Sequence, residues 1–186
     1  MTVHILGNGG HGRDLADIVK AVGSVFSIHD DDPERGSPLP GDVSYLIGIA
    51  EPHARAARDY AGNQPYSIHH PSVVGHAACG FGAVIDAGTT IGPNVTLGRH
   101  THIGPGCTLT RTTIGDYCQI APGVDIAGDV IIGHRVFIGV GATVANLVTI
   151  GDDAIIGAGA VVIYDVPAGA TVVGIPAKVI HRKRAA

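Results

Sequence analysis

The sequence predicts two units built on different plans: a small α/β unit over residues 1–66, then an all-β parallel solenoid. Three observations carry the prediction. Apolar residues, nearly all aliphatic, recur at six-residue spacing from Val73 to Val162, with a single five-residue step. Glycine supplies 28 of the 186 residues, about twice the usual share, whereas aromatics are 4% and Trp is absent, so the core is thin and layered. Before residue 67, short apolar strands alternate with segments of helical spacing, the grammar of a parallel sheet.

The elements of the first unit follow in order. VHILG (3–7) reads as a strand, GNGGHG (7–12) as a glycine turn, and RDLADIVKAVG (13–23) as a helix stopped by glycine. VFSIHDDD (25–32) is a second strand ending in acids, VSYLIGIA (43–50) a third, EPHARAARDYAG (51–62) a helix, and PYSIHH (65–70) a strand leading out. The result is a short, Rossmann-like version of the doubly wound fold, too small to carry both halves of a dinucleotide site.

The solenoid spans residues 67–172, with a C-terminal tail over 173–186. Its rungs are Val73, Cys79, Ile85, Ile91, Leu97, Ile103 and Leu109, then Ile114, Ile120, Ile126, Ile132, Ile138, Val144, Ile150, Ile156 and Val162. Glycine often follows the rung, where it is expected to relieve strained corner dihedrals. Four places on, the residue is compact, as at Ala83, Cys107 and Val136. Three six-residue units close one triangular coil, and coils stack at ~4.8 Å, giving a prism of roughly 25 Å. An antiparallel sandwich would instead show period two and hairpin turns.

Composition narrows the partners. With a net charge of −4, nothing in the composition points to nucleic acid as the main partner, and HRKR (181–184) reads as a solvated end. MTVHILGNGG is no signal peptide, and no apolar run reaches the ~20 residues that cross a bilayer. Cys79, Cys107 and Cys118 fall on inward positions without metal-ligand spacing, so inert buried thiols, no metal and a cytoplasmic protein are expected.

The hexad pattern over residues 67–178, closing in GIPAKVI (174–180), resembles the bacterial hexapeptide-repeat acyltransferases, whose prism is a left-handed β-helix. With GNGGHGRD (7–14) and the acids at 30–32, the whole chain is similar to the sialic acid O-acetyltransferase and bacillosamine N-acetyltransferase group. That resemblance implies a homotrimer binding acetyl-CoA between neighbouring prisms and acting on a sugar, often an amino sugar on a nucleotide. It implies substrate contacts at Gly9, Gly10 and His11, with Asp30 and Asp31 accepting from a base or ribose. Ala50 stands where members often carry glycine. It also implies that main-chain groups at Ala127, Gly128, Val140 and Ala158 line acetyl-CoA, and that Gln119 replaces a second histidine.

One beat is missing. In IGPGCTLTRTTIGDYCQIAPG (103–123), Leu109 to Ile114 is five residues, not six. Members of the family carry their basic histidine two residues after a rung. Here the matching turn, Thr110-Arg111-Thr112-Thr113, holds no histidine and no carboxylate. Arg111 stands nearest that position and cannot take a proton. Three explanations are open: an amine acceptor that attacks unaided; a substitute base among His100, His102 and His134, each expected on a wet corner; or a binding protein without turnover. Hydroxyl acetylation needs a true base, so the shortened turn favours N-acetylation.

Overall fold

A computed structural model describes residues 2–7, 10–29, 44–47, 51–57, 64–65 and 67–182. The first unit is a four-stranded parallel sheet in the order β2-β1-β3-β4, formed by β1 (Thr2–Leu6), β2 (Val25–His29), β3 (Ser44–Ile47) and β4 (Gln64–Pro65). Helix α1 (Gly10–Ala21) begins inside the expected glycine turn, three residues before the predicted start. It buries Leu15, Ala16, Ile18 and Val19 against Val3, Ile5 and Leu46. Gly23, at φ +74°, ends it: its N–H donates to the Lys20 carbonyl, and that of Ser24 to the Val19 carbonyl. A Cβ on Gly12 would overlap the Gly7 carbonyl oxygen, so this glycine lets the helix approach the strand end. Helix α2 is Pro52–Ala57. The last predicted strand divides: β4 stays in the first sheet, and β5 (Ile68–His69) opens the solenoid.

The solenoid has three faces. The chain visits face one, face two and face three in turn, and every pair of successive coils is parallel. Face one contains β5, Val84–Ile85, His102–Ile103, Gln119–Ile120, Phe137–Ile138 and Ile155–Ile156. Face two contains Thr90–Ile91, Thr108–Leu109, Asp125–Ile126, Thr143–Val144 and Val161–Val162. Face three contains Ala77–Cys79, Val95–Leu97, Thr112–Ile114, Val130–Ile132 and Thr149–Ile150. The rungs from Ile85 to Val162 are all buried in one continuous core, each contributing about 1.5–3 kcal/mol on leaving water. Val73 and Cys79 are only half-buried, because no complete coil lies beneath them.

Polar groups that face inward are satisfied by the next coil. Thr89 Oγ1 donates to the Gly104 carbonyl at 3.0 Å and Thr101 Oγ1 to the Gly115 carbonyl at 2.7 Å. The Cys107 and Cys118 thiols do the same toward Ala121 and Gly133. Burial pushes the Cys107 thiol up to about 11.

The corner glycines need a correction. Those that follow a rung do not have positive φ. The left-handed position falls two residues later and is often held by a residue with a side chain: Asn94, His100, Arg111, Tyr117, Asp129, Arg135, Leu147 and Asp153. The glycine after the rung is required by close stacking. A Cβ on Gly115 would lie 2.6 Å from the Gly133 oxygen, and one on Gly139 would lie 2.6 Å from the Ala158 nitrogen.

Two further findings differ from the sequence reading. The C-terminal segment is ordered into a strand, Lys178–Arg182, which runs antiparallel to Ala170–Val173 and extends face one. His181 and Arg182 of the basic run therefore belong to the sheet. The first unit also covers the outer side of face one. Ile68 and Val84 join its apolar core, and Tyr45 of β3 lies 5.8 Å from the His100 ring.

Candidate functional site

The shortened turn can be placed by register. Thr108 and Leu109 pair with Thr90 and Ile91 in the coil before, and Thr113 and Ile114 pair with Thr96 and Leu97. Arg111, at φ +44°, shares the left-handed corner position with Asn94 (+55°) and Asp129 (+62°). Its N–H donates to the Pro93 carbonyl, and its carbonyl accepts from Asp129. Thr110 stacks on Gly92. The absent residue is therefore the one that would lie between Pro93 and Gly128. The Arg111 guanidinium occupies the space above Gly128, where a Cβ would strike its Nη2. It is held by Asp129 through Nε at 3.1 Å and Nη2 at 3.2 Å. That carboxylate keeps the guanidinium more firmly charged than usual, so Arg111 has no capacity to accept a proton.

The three histidines considered as substitutes have different settings. His100 and His102 are not on wet corners; both are buried. His100 stacks on Tyr117, with ring centres 5.6 Å apart, and lies against Tyr45 of the first unit, which removes it from water. His102 points outward from face one beneath the same cover. Its Nε2 lies 2.8 Å from Asp86 Oδ2, and its Nδ1 3.1 Å from the Gln119 amide nitrogen. Both ring nitrogens are thus engaged, one by the Asp86 carboxylate and one by the Gln119 amide. His134 is half exposed, but its Nδ1 accepts the Asp116 N–H at 2.9 Å. This bond belongs to a corner ladder in which Arg99 N–H donates to Asp116, Asp116 to His134 and His134 to Asp152.

The expected acetyl-CoA positions fall in three places. Val140 and Ala158 stack in the corner between faces one and two. Ala127 and Gly128 form the corner between faces two and three. Ala127 lines a shallow groove of about 240 Å³ on face two with Thr108, Thr110, Asp125 and Thr143. These two corners flank the same face. Gln119 does not lie there; it is buried on face one beside His102.

Of the expected substrate contacts, Gly9, Asp30, Asp31 and Ala50 lie outside the described residues. Gly10 and His11 open α1. The strand order explains why these segments belong together. In a parallel sheet ordered β2-β1-β3, β2 and β3 lie on opposite sides of β1, so the strand order reverses at β1.

The structure also holds a cavity of about 380 Å³, which the sequence did not disclose. It lies between α2 and face one. Phe137 and Ile155 form an apolar floor, and Glu51, His53, Arg135 and Asp153 supply polar groups. Arg135 Nε lies 2.7 Å from Asp153 Oδ1, and His53 Nε2 3.4 Å from the same oxygen. Arg135 and Asp153 are 18 residues apart, one coil, a signal the sequence contains. Nothing in the sequence pairs His53 with them.

A three-sided parallel solenoid with an α/β unit on one face defines a hexapeptide-repeat protein, and a cavity lies where α2 meets that face. A family model described as the GMPPB C-terminal domain matches residues 73–184. The GDP-perosamine N-acetyltransferase of Escherichia coli O157:H7 is 40% identical over 129 residues, 65% of this chain and 58% of that protein. A histidine-to-asparagine variant of perosamine N-acetyltransferase from Caulobacter crescentus, solved with CoA and GDP-perosamine, is 32% identical. It superposes with a TM-score of 0.87 over 97% of both chains. The acetyltransferase domain of PglB from Neisseria gonorrhoeae FA1090, solved with acetyl coenzyme A, is 27% identical, with a TM-score of 0.83 over 96% of this chain and 98% of that one. The chain belongs to the hexapeptide-repeat sugar acetyltransferases.

Proposed function

We propose that this protein transfers acetyl from acetyl-CoA to the amino group of a nucleotide-linked sugar, as in bacterial surface-glycan synthesis. One observation carries the reading: the likeness to the Caulobacter crescentus structure runs through both units, the prism and the parallel sheet. The division of labour follows. Residues 1–66 form a small Rossmann-like unit for the nucleotide sugar, residues 67–172 a left-handed β-helix for acetyl-CoA, and 173–186 close the chain. The glycine turn through Gly9, Gly10 and His11 meets the phosphates, Asp30 and Asp31 read the base or ribose, and the sugar runs toward Ala50. Acetyl-CoA lies along face two between the corners of Val140 and Ala158 and of Ala127 and Gly128. The working form is a cytoplasmic homotrimer, with acetyl-CoA between adjacent prisms.

The missing turn residue suits an amine better than a hydroxyl. An amine with a pKa near ~8 is partly neutral at pH 7. Holding it ~3.5 Å from the thioester carbon supplies much of the rate. The test is release of CoA thiol with a panel of amino sugars linked to GDP, UDP and dTDP, against the matching 4-hydroxy sugars. Release with an amine alone is expected; release with hydroxy sugars alone refutes the assignment. The absent residue also favours a second reading, a nucleotide-sugar-binding protein without turnover. Tight binding of sugar nucleotides with no thiol release from any acceptor would establish it.

A further inference from the structure

The cavity between α2 and face one holds a histidine–carboxylate pair. Asp153 is fixed from two directions: its N–H donates to the His134 carbonyl at 2.9 Å, and Arg135 grips its carboxylate through Nε at 2.7 Å and Nη2 at 3.2 Å. His53 reaches the same carboxylate from the other unit, Nε2 to Oδ1 at 3.4 Å. With its proton on Nε2, the nitrogen nearest Asp153, the ring presents Nδ1 away from the carboxylate. That leaves Nδ1 as the basic atom, and none of the described residues bonds it. The ring is half exposed at the cavity edge. Glu51, the other acid there, is committed to α2, where its oxygens accept the His53 and Ala54 N–H groups at 3.1 and 2.6 Å.

Position gives the pair its significance. In the binding mode proposed above, with the base over β2 and the phosphates after β1, the sugar runs toward β3, which lies on the far side of β1. Helix α2 follows β3, and the cavity opens beneath it. A volume of about 380 Å³ lies within the range of small-molecule sites. The Phe137 and Ile155 floor offers apolar contact to deoxygenated sugar carbons, and Ile155 is 42% exposed. Phe137 pairs in register with Gln119, and three residues on the same strand turns into the corner of Val140. The acetyl-CoA corner and the cavity therefore share one strand.

We infer that His53, oriented by Asp153, is the proton acceptor for the sugar's amino group; this rests on the N-acetyltransferase reading. The amine nitrogen attacks the acetyl carbonyl carbon, a C–N bond forms, and the C–S bond breaks with sulfur leaving as thiolate. The surplus N–H proton passes to His53 Nδ1. The imidazolium, stabilised by the Asp153 carboxylate, returns that proton to the thiolate, giving CoA thiol and neutral imidazole. The pair restores from the first unit the basic function that the shortened turn lacks.

The test compares the full-length protein with His53→Ala and Asp153→Asn in the thiol-release assay, using the amino-sugar nucleotide that the wild type accepts best. His53→Ala is expected to lower kcat about 100-fold with KM within about threefold. Exogenous imidazole should restore at least a tenth of the lost rate. Asp153→Asn should lower kcat about tenfold without rescue by imidazole. Unchanged kcat in His53→Ala overturns the inference while leaving acetyl transfer standing. So does a loss that imidazole does not repair in a variant whose melting temperature is unchanged. A wild type that releases no thiol with any amino sugar overturns both.

Discussion

Alanine at Gly115 places a Cβ 2.6 Å from the Gly133 carbonyl oxygen and 2.7 Å from its carbon, both backbone atoms of the next coil. Neither can yield alone. The Gly115 N–H donates to the Ile132 carbonyl at 2.9 Å, and Ile132 is buried in the core. Relief requires the coils to separate by several tenths of an ångström at that corner, which lengthens ladder bonds on both sides. Overpacking of this kind costs about 1–3 kcal/mol. Gly123 offers the opposite case: φ is +67° and its Cβ would meet nothing within 4 Å. Asparagine there takes a conformation that Asn94 already holds, so Gly123→Asn should cost under about 1 kcal/mol. Thermal unfolding of both variants at one protein concentration separates them. At about 2–4 °C per kcal/mol for a chain of this length, Gly115→Ala should melt roughly 2–12 °C lower and Gly123→Asn no more than about 4 °C lower. Equal losses, or a larger loss at Gly123, would refute stacking as the reason for glycine after the rung.

Other outcomes follow from the same geometry. His102→Ala leaves the buried Asp86 carboxylate without its 2.8 Å donor, so chemical denaturation should show a loss of about 3 kcal/mol. His134→Ala, at a half-exposed corner, should lose about 1 kcal/mol. In native protein a disulfide reagent should titrate Cys79 first and leave Cys107 unreacted, because Cys107 is buried and its thiol is pushed up to about 11. The same shift sets a pH dependence. Above 9.0 the unfolded thiol ionises while the folded one stays protonated, so stability falls as pH rises from about 9 toward 11. Cys107→Ala should flatten that fall, measured as the denaturation midpoint between pH 8 and 10.5. Arg111→Ala should leave the melting temperature within about 2 °C, since the Asp129 pair is exposed.

The sequence by itself determined the solenoid. Six-residue recurrence of Ile, Leu and Val needs no tertiary information, because each rung's environment is set by its own place in a repeating coil. The same recurrence located the absent residue to within the turn at 110–113, and register then put it between Pro93 and Gly128. The reason for glycine after each rung was not legible in one dimension, since strained dihedrals and close stacking both exclude a side chain. Only the structure showed that the positive φ lies two residues later. Tertiary structure also decided the fate of the histidines. His100 and His102 sit in solenoid positions that normally face water, and they are buried because the first unit lies over face one. No periodicity can announce a contact between two units of different period. For the same reason His53 and Asp153, a hundred residues apart in sequence, become neighbours only when α2 settles on the prism.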